Sequence, residues 1–251
     1  MILIFSDLDA TLLDHNSYSF AEALPALQLI RQRNIPLILS SSKTYEEMIV
    51  IKKELNNNDP FIYENGSGVC FDNEKINLGV SNIIIKKLLH DLKKQFTFTS
   101  FSELGLDGVQ KITGLDNEAC QRACQREYTE PIVWNDDEER KTIFNQILSD
   151  HKLISAQGGR FLTISGHQNK GDALLWIKNK YENKGQDKII TIGLGDSEND
   201  IKMLERVDRA VIVRHPEKPP PQINGHASLL TTDEIGPRGW NKAILNILDT
   251  L

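Results

Sequence analysis

The sequence predicts an α/β protein: a parallel sheet with helices on its faces, into which a smaller α+β module is inserted. Three observations carry this expectation. Short apolar runs that stop abruptly at polar residues recur near both ends of the chain, the pattern of strands buried on both faces. Segments with helical apolar spacing separate them, so that strand and helix alternate. Between residues 82 and 166 the rhythm changes, which makes 1–81 together with 167–251 one unit and 82–166 an insertion.

Ile2 to Phe5 is the first strand, and carboxylates begin where it stops, at Asp7 and Asp9. Phe20 to Arg33 has helical spacing through Leu24, Leu27 and Ile30. Pro36 to Leu39 is a second buried strand, running into Ser40, Ser41, Ser42 and Lys43. A helix over Thr44 to Leu55 and a strand over Phe61 to Tyr63 follow, ending at Glu64-Asn65-Gly66. In the second half the spacing predicts a helix over Lys170 to Asn183, a strand over Ile189 to Ile192, a helix over Asn199 to Val207 and a strand over Ala210 to Val213. Pro216 to Pro221 reads as a rigid surface turn before a strand-like run at Ala227 to Leu230. The insertion reads as helices (Ile83 to Lys94, Asn117 to Glu127, Glu138 to Asp150) alternating with strands (Thr97 to Thr99, Ile132 to Trp134, Leu162 to Ser165).

Composition bounds the function. With 39% hydrophobic and 25% charged residues the chain is an ordinary globular protein. Its net charge of −6, with Lys and Arg scattered, leaves no positive stripe for a nucleic-acid backbone. Cys70, Cys120 and Cys124 form neither a CxxC nor a Cys/His metal spacing and read as reduced thiols. No apolar run reaches the roughly 20 residues needed to span a bilayer, and the N-terminus lacks the basic region of a signal peptide, so a cytoplasmic location is expected. A monomer and a homodimer are equally compatible with this.

In open α/β sheets ligands bind at the carboxyl ends of strands. Three such ends carry Asp7 and Asp9, Ser41 and Lys43, and Asp196 with Asn199 and Asp200. Phosphoryl transfer to water needs a nucleophile, a proton for the leaving oxygen and cations for the equatorial oxygens. Asp7, with a reference pKa of about 3.9, can attack phosphorus as a carboxylate. Its charge repels a phosphate dianion by about 4 kcal/mol at 4 Å and an effective dielectric near 20. Lys170 and a magnesium ion are the candidate compensations. Mg²⁺ takes hard oxygen ligands, which Asp7 and Asp196 supply, with Asp200 one helical turn on. Asp9 is spaced to protonate the leaving oxygen and must carry a proton at that step. Ser41 and Lys170 can hold phosphoryl oxygens.

Each element alone has a plainer reading. A DxD at a strand end also serves as a turn or helix cap, Lys170 as a solvated helix-start lysine and Ser41 as a turn former. A calcium loop counted from Asp7 would need Gly where Leu12 stands and Glu where Tyr18 stands. Gly193-Leu194-Gly195 has Glu198 where a dinucleotide fingerprint needs its third Gly.

Together, Asp7-Leu8-Asp9-Ala10-Thr11-Leu12, Leu39-Ser40-Ser41-Ser42-Lys43-Thr44, Lys170-Gly171 and Gly195-Asp196-Ser197-Glu198-Asn199-Asp200 resemble the haloacid dehalogenase superfamily along the whole chain. That family's pattern is DxDxT, a strand-end Ser or Thr, Lys, then GDxxxD or GDxxND. The resemblance implies a Rossmann-like core and Asp7 as nucleophile. Asp9 becomes general acid/base with its backbone carbonyl on Mg²⁺, Ser41 and Lys170 hold phosphate, and Asp196 with Asp200 completes the metal site. The insertion lies between the Ser and Lys elements, where members with the larger α/β cap carry theirs. Among those, Ser41-Ser42-Lys43-Thr44, Glu64-Asn65-Gly66-Ser67-Gly68, Arg126-Glu127-Tyr128-Thr129-Glu130-Pro131 and Gly158-Gly159-Arg160-Phe161 resemble the phosphatases of mannosyl-3-phosphoglycerate. This implies a small glycosyl phosphoglycerate as substrate, with Arg160 gripping its carboxylate and Glu130 and Glu64 accepting sugar hydroxyls. Lys43, Asn65 and Asn199 join them as substrate-binding candidates. Arg126 and Glu127 read equally well as solvated helix charges, and Gly158-Gly159 as a hairpin turn. A phosphatase of glucosyl-3-phosphoglycerate, sucrose phosphate or another sugar phosphate, a phosphomutase, and a non-catalytic phosphate- or Mg-binding regulator are the competing functions. The regulator is expected to lack the nucleophile or the acid, and both are present.

Overall fold

The structure is a computed structural model that describes residues 1–158, 160–185 and 188–251. The first half builds strand β1 (Ile2–Ser6), helix α1 (Leu24–Gln32), β2 (Leu37–Ser40), α2 (Tyr45–Glu54), β3 (Phe61–Tyr63), β4 (Gly68–Phe71) and β5 (Glu74–Asn77). The middle stretch follows as α3 (Asn82–Leu92), β6 (Phe98–Ser100), α4 (Phe101–Thr113), α5 (Asn117–Cys124), β7 (Glu130–Trp134), α6 (Glu138–Asp150), β8 (Leu153–Gly158) and β9 (Phe161–Gly166). The chain then returns with α7 (Lys170–Asn183), β10 (Ile190–Gly195), α8 (Ile201–Leu204), β11 (Arg209–Arg214), β12 (Leu229–Ile235) and α9 (Gly236–Asp249).

Two sheets result. The larger has the order β12-β11-β10-β1-β2-β3-β4-β5 and the smaller β6-β7-β9-β8. The larger sheet is mixed where a parallel one was expected. β12 through β3 run parallel, and β4 and β5 add an antiparallel hairpin at one edge. Alternation along β1 explains the layers: Ile4 joins Leu27, Ile30, Trp240 and Ile244 on the α1/α9 face. Leu3 and Phe5 join Leu174, Ile177 and Met203 on the α7/α8 face. A strand that contributes to both cores reads as a continuous apolar run. The smaller sheet is antiparallel throughout and buries Ile132, Leu162 and Ile164 against Ile85 and Leu89 of α3 and Phe144 and Leu148 of α6.

Local capping fixes the helices that matter for the site. Thr44 and Glu47 form a reciprocal capping box on α2, and Asn169 accepts the amides of Gly171 and Asp172 at the start of α7. The helix expected over Asn199 to Val207 is shorter. Glu198–Asp200 is a 3-10 turn, capped by the Asp200 carboxylate accepting the amides of Asp196 and Ser197, and α8 is a single turn after it that ends at Leu204. The helix expected to run to Glu127 ends at Cys124, and the residues beyond it turn toward the core. Among the described residues no helix is long and apolar enough to cross a membrane.

Candidate active site

β10, β1 and β2 are neighbours in the sheet, and the chain leaves β1 toward β2 and returns on its other side through β10. Such a switch in strand order opens a crevice at the carboxyl ends. Asp7, Ser41 and Asp196 directly follow these three strands and therefore meet there. The Asp7 amide donates to the Leu194 carbonyl at 2.9 Å, and Thr11 donates its hydroxyl to Asp196 Oδ1 at 2.9 Å.

Lys170, the first residue of α7, is fully buried. Its Nζ donates to Asp7 Oδ1 at 2.5 Å and to Asp200 Oδ1 at 2.7 Å. Burial by itself favours the neutral amine, but the charges of Asp200 and Asp7 overcome it and hold the ammonium above its usual range. Asp7, Asp196 and Asp200 each offer an oxygen, all within 4.8 Å of one another. Three carboxylates share one ammonium out of water. Burial, and then Asp200, pushes the Asp196 carboxyl up to about 6. Burial also raises Asp7 well above its ordinary value, against the pull of Lys170 and with the help of Asp200, Asp196 and Asp9. A buried, all-oxygen donor set with surplus negative charge fits a hard divalent cation such as Mg²⁺. Among the described residues it is the one such cluster of three or more potential ligands.

Asp9 Oδ2 accepts from Lys43 Nζ at 2.8 Å, while its Oδ1 is buried without a hydrogen-bond partner. Burial works against the Lys43 ammonium, but Asp9 and Glu47 outweigh it and raise its pKa. Ser41 is buried, its amide donates to the Ile62 carbonyl at 3.1 Å, and its hydroxyl oxygen accepts the Lys43 amide at 3.2 Å. Asn199 donates to Asn65 Oδ1 at 3.2 Å, joining two of the expected substrate residues at the mouth.

The remaining expected residues lie elsewhere. Glu64 is fully buried with both oxygens occupied by donors of the insertion: Glu127 N at 2.8 Å, Tyr128 N at 3.0 Å and Thr129 Oγ1 at 2.5 Å. Glu130 is also buried and accepts from Ser102 N at 2.8 Å and Asn82 Nδ2 at 3.0 Å inside the insertion. Arg160 is exposed on the β8–β9 hairpin, its guanidinium 5.7 Å from the Phe161 ring. Among the described residues no hydrogen bond or ion pair ties Arg160 to the others, and Gly159 beside it lies outside them. Arg126 and Glu127 are not solvated helix charges. Arg126 donates to the Ser42 carbonyl at 3.3 Å, and Glu127 pairs with Lys75 at 2.5 Å.

Sequence reasoning passed over two supports. Thr11, which orients Asp196, was signalled only as the last letter of DxDxT. Trp240 of α9 donates its indole N–H to Ser6 Oγ at 2.9 Å, and Ser6 donates to the Asp7 carbonyl at 2.7 Å, so a buried chain braces the backbone of Asp7. Residues 234 positions apart leave no local signal of this.

A sequence profile of haloacid dehalogenase-like hydrolases matches residues 4–107 and 121–231. The chain is 33% identical, over 100% of its length and 98% of the relative's, to a glucosyl-3-phosphoglycerate/mannosyl-3-phosphoglycerate phosphatase of Persephonella marina. It is 35% identical to a phosphatase of the same description from Methanococcoides burtonii, with 98% of this chain and 97% of that one covered. In fold it is similar to a haloacid dehalogenase-like hydrolase of Bacteroides thetaiotaomicron, with a TM-score of 0.72 at 18% identity and 98% of each chain covered. It is also similar to a Thermoplasma acidophilum protein, with a TM-score of 0.73 at 18% identity over 99% and 98% of the two chains. With its profile match spanning both halves and its two relatives aligned end to end, this chain belongs to the haloacid dehalogenase-like hydrolases.

Proposed function

We propose that this protein is a Mg²⁺-dependent phosphatase of glycosyl-3-phosphoglycerates, mannosyl-3-phosphoglycerate above all, working through an aspartyl phosphate on Asp7. The observation that carries the reading is the Lys170 ammonium held between Asp7 and Asp200 beside Asp196. The substrate class rests on the names of the two full-length relatives.

Asp7 attacks phosphorus, the ester oxygen departs, and Asp9 gives it a proton. Water then attacks the aspartyl phosphate while Asp9 takes its proton, and inorganic phosphate and a free Asp7 carboxylate result. Lys43 fixes Asp9 by Oδ2, which leaves the unpartnered Oδ1 to carry the proton. Ser41 and Lys170 donate to the equatorial oxygens. Asp7, Asp196, Asp200 and the backbone carbonyl of Asp9 would hold Mg²⁺, which supplies charge neutralisation when bound. The insertion, residues 82–166, acts as the cap that receives the sugar and glycerate.

A phosphate-release screen over phosphorylated metabolites, with Mg²⁺ and with EDTA, tests this. Release from mannosyl- and glucosyl-3-phosphoglycerate is expected with Mg²⁺ and absent in EDTA. Transfer of phosphate within a sugar without release would make the protein a mutase, and full activity after exhaustive chelation would remove the metal.

A further inference from the structure

The insertion joins the core through two connections, between β5 and α3 and between β9 and α7, yet the structure contains a third attachment in its middle. Glu127, Tyr128 and Thr129 all donate to the Glu64 carboxylate, as described above. Arg126 extends this network by donating to Thr129 Oγ1 at 2.9 Å and to the Ser42 carbonyl. Glu64 itself stands at φ +47°, a costly conformation for a residue with a side chain, retained where the surroundings over-determine it.

The same short segment also touches the Ser41–Lys43 stretch, Asn199 and the start of α7. The Glu64 amide donates to the Lys43 carbonyl at 2.9 Å, and the Asn65 amide to the Ser41 carbonyl at 2.9 Å. Asn65 holds Asn199, and Gly66 lies against the backbone of Asn169 just before Lys170. The Ser67 carbonyl accepts the amides of Leu78 and Gly79, in the first connection to the insertion, at 3.0 and 2.9 Å. A buried carboxylate that loses its donors incurs a desolvation penalty, so lifting the insertion off Glu64 destabilises the strained segment that braces Ser41 and Asn199.

We infer that Glu64 is a positioning residue through which seating of the insertion on the core aligns Ser41 and Asn199. The inference rests on the phosphatase reading only for the use made of that alignment. Thr129→Val removes, on the insertion side, one donor to Glu64 and the acceptor of Arg126, whereas Thr129→Ser keeps the hydroxyl for both. Amide hydrogen exchange on the full-length protein is expected to rise about tenfold or more in Thr129→Val. The rise should appear at Glu127 and Tyr128 and also at Glu64 and Asn65, with β7 and β10 unchanged. Phosphate release should lose about tenfold in kcat with KM little altered, and Thr129→Ser should restore both within about twofold. Faster exchange confined to residues 127–129, a uniform rise across both sheets, or an unaltered kcat in an active enzyme would each overturn the coupling. If the wild type releases no phosphate, the functional reading fails while the exchange pattern still decides the role of Glu64.

Discussion

Lys170 is the cation that makes a buried cluster of three carboxylates tolerable, and its loss separates structure from chemistry. Lys170→Met leaves Asp7, Asp196 and Asp200 without their ammonium, and removing one partner of a buried ion pair typically costs about 3–5 kcal/mol. That loss is expected in urea unfolding at pH 8 with EDTA, together with loss of turnover. Asp7→Asn should instead abolish phosphate release while the fold persists, because the amide is nearly isosteric and relieves crowding among like charges. Substantial residual hydrolysis by the folded variant would remove covalent catalysis at Asp7. The raised Asp196 carboxyl also gives a pH signature. Its folded value of about 6 lies above the ordinary 3.8, so between these values the folded state binds more protons than the unfolded one. Chelated protein should therefore lose stability as pH rises from about 4 through about 6, by roughly 3 kcal/mol from this group, and level off above. A titration of unfolding free energy that rises over that window would contradict the arrangement. At this scale the candidate core site was legible in the sequence, because Asp7, Asp9, Ser41, Lys170, Asp196 and Asp200 sit at strand ends or a helix start. The pairing of Glu64, expected instead to accept sugar hydroxyls, was not, since its partners lie more than 60 residues away and only packing brings them to it.

At the scale of elements, α6 and α7 were bounded by their periodicity and caps, whereas α4 and α9 went unseen. Gly105 and Gly108 interrupt the former and Gly236, Pro237 and Gly239 crowd the start of the latter. Tertiary contacts retain both: Val109 of α4 is buried beside Cys120, and Trp240 of α9 is buried in the larger core. The joint between β3 and α7 gives a mutational test. Gly66 has φ +94°, and an added Cβ would lie 2.2 Å from the Asn169 carbonyl oxygen. Gly66→Ala is therefore expected to cost about 2 kcal/mol or more and to reduce turnover sharply by displacing the cap of α7 and with it Lys170. Gly105→Ala, at φ +63° with nothing within 4 Å of its added carbon, should lower the melting temperature without that loss of turnover. Equal effects on turnover would mean that the Gly66 contact does not hold Lys170 in place.

For the whole molecule, the proposed selectivity rests on how residues 82–166 meet the core. If Arg160 reaches the glycerate carboxylate when the insertion is seated over substrate, its binding energy is used remote from phosphorus to orient the ester. Arg160→Ala should then lower kcat/KM for mannosyl-3-phosphoglycerate ten- to a hundredfold more than for p-nitrophenyl phosphate, given roughly 1.5–3 kcal/mol for a charge-assisted hydrogen bond. Equal losses on the two substrates would assign Arg160 to the structure of the hairpin. Its exposure on the β8–β9 turn, free of an ion pair among the described residues, leaves the guanidinium available for such a contact.

The sequence by itself determined the alternation of strand and helix and the residues gathered at the strand ends. These are local facts: an apolar run buried on two faces, a cap, and a polar residue where a strand stops are each written in a few neighbouring positions. Only the tertiary structure decided that the sheet ends in an antiparallel hairpin, that Trp240 and Ser6 brace Asp7, and that Lys43 is paired with Asp9. It also decided that Glu64 faces the insertion's backbone with both oxygens. The physical reason is that a buried polar group must find its partner wherever the fold places one, and that pairing is set by geometry between distant segments, which no local pattern records.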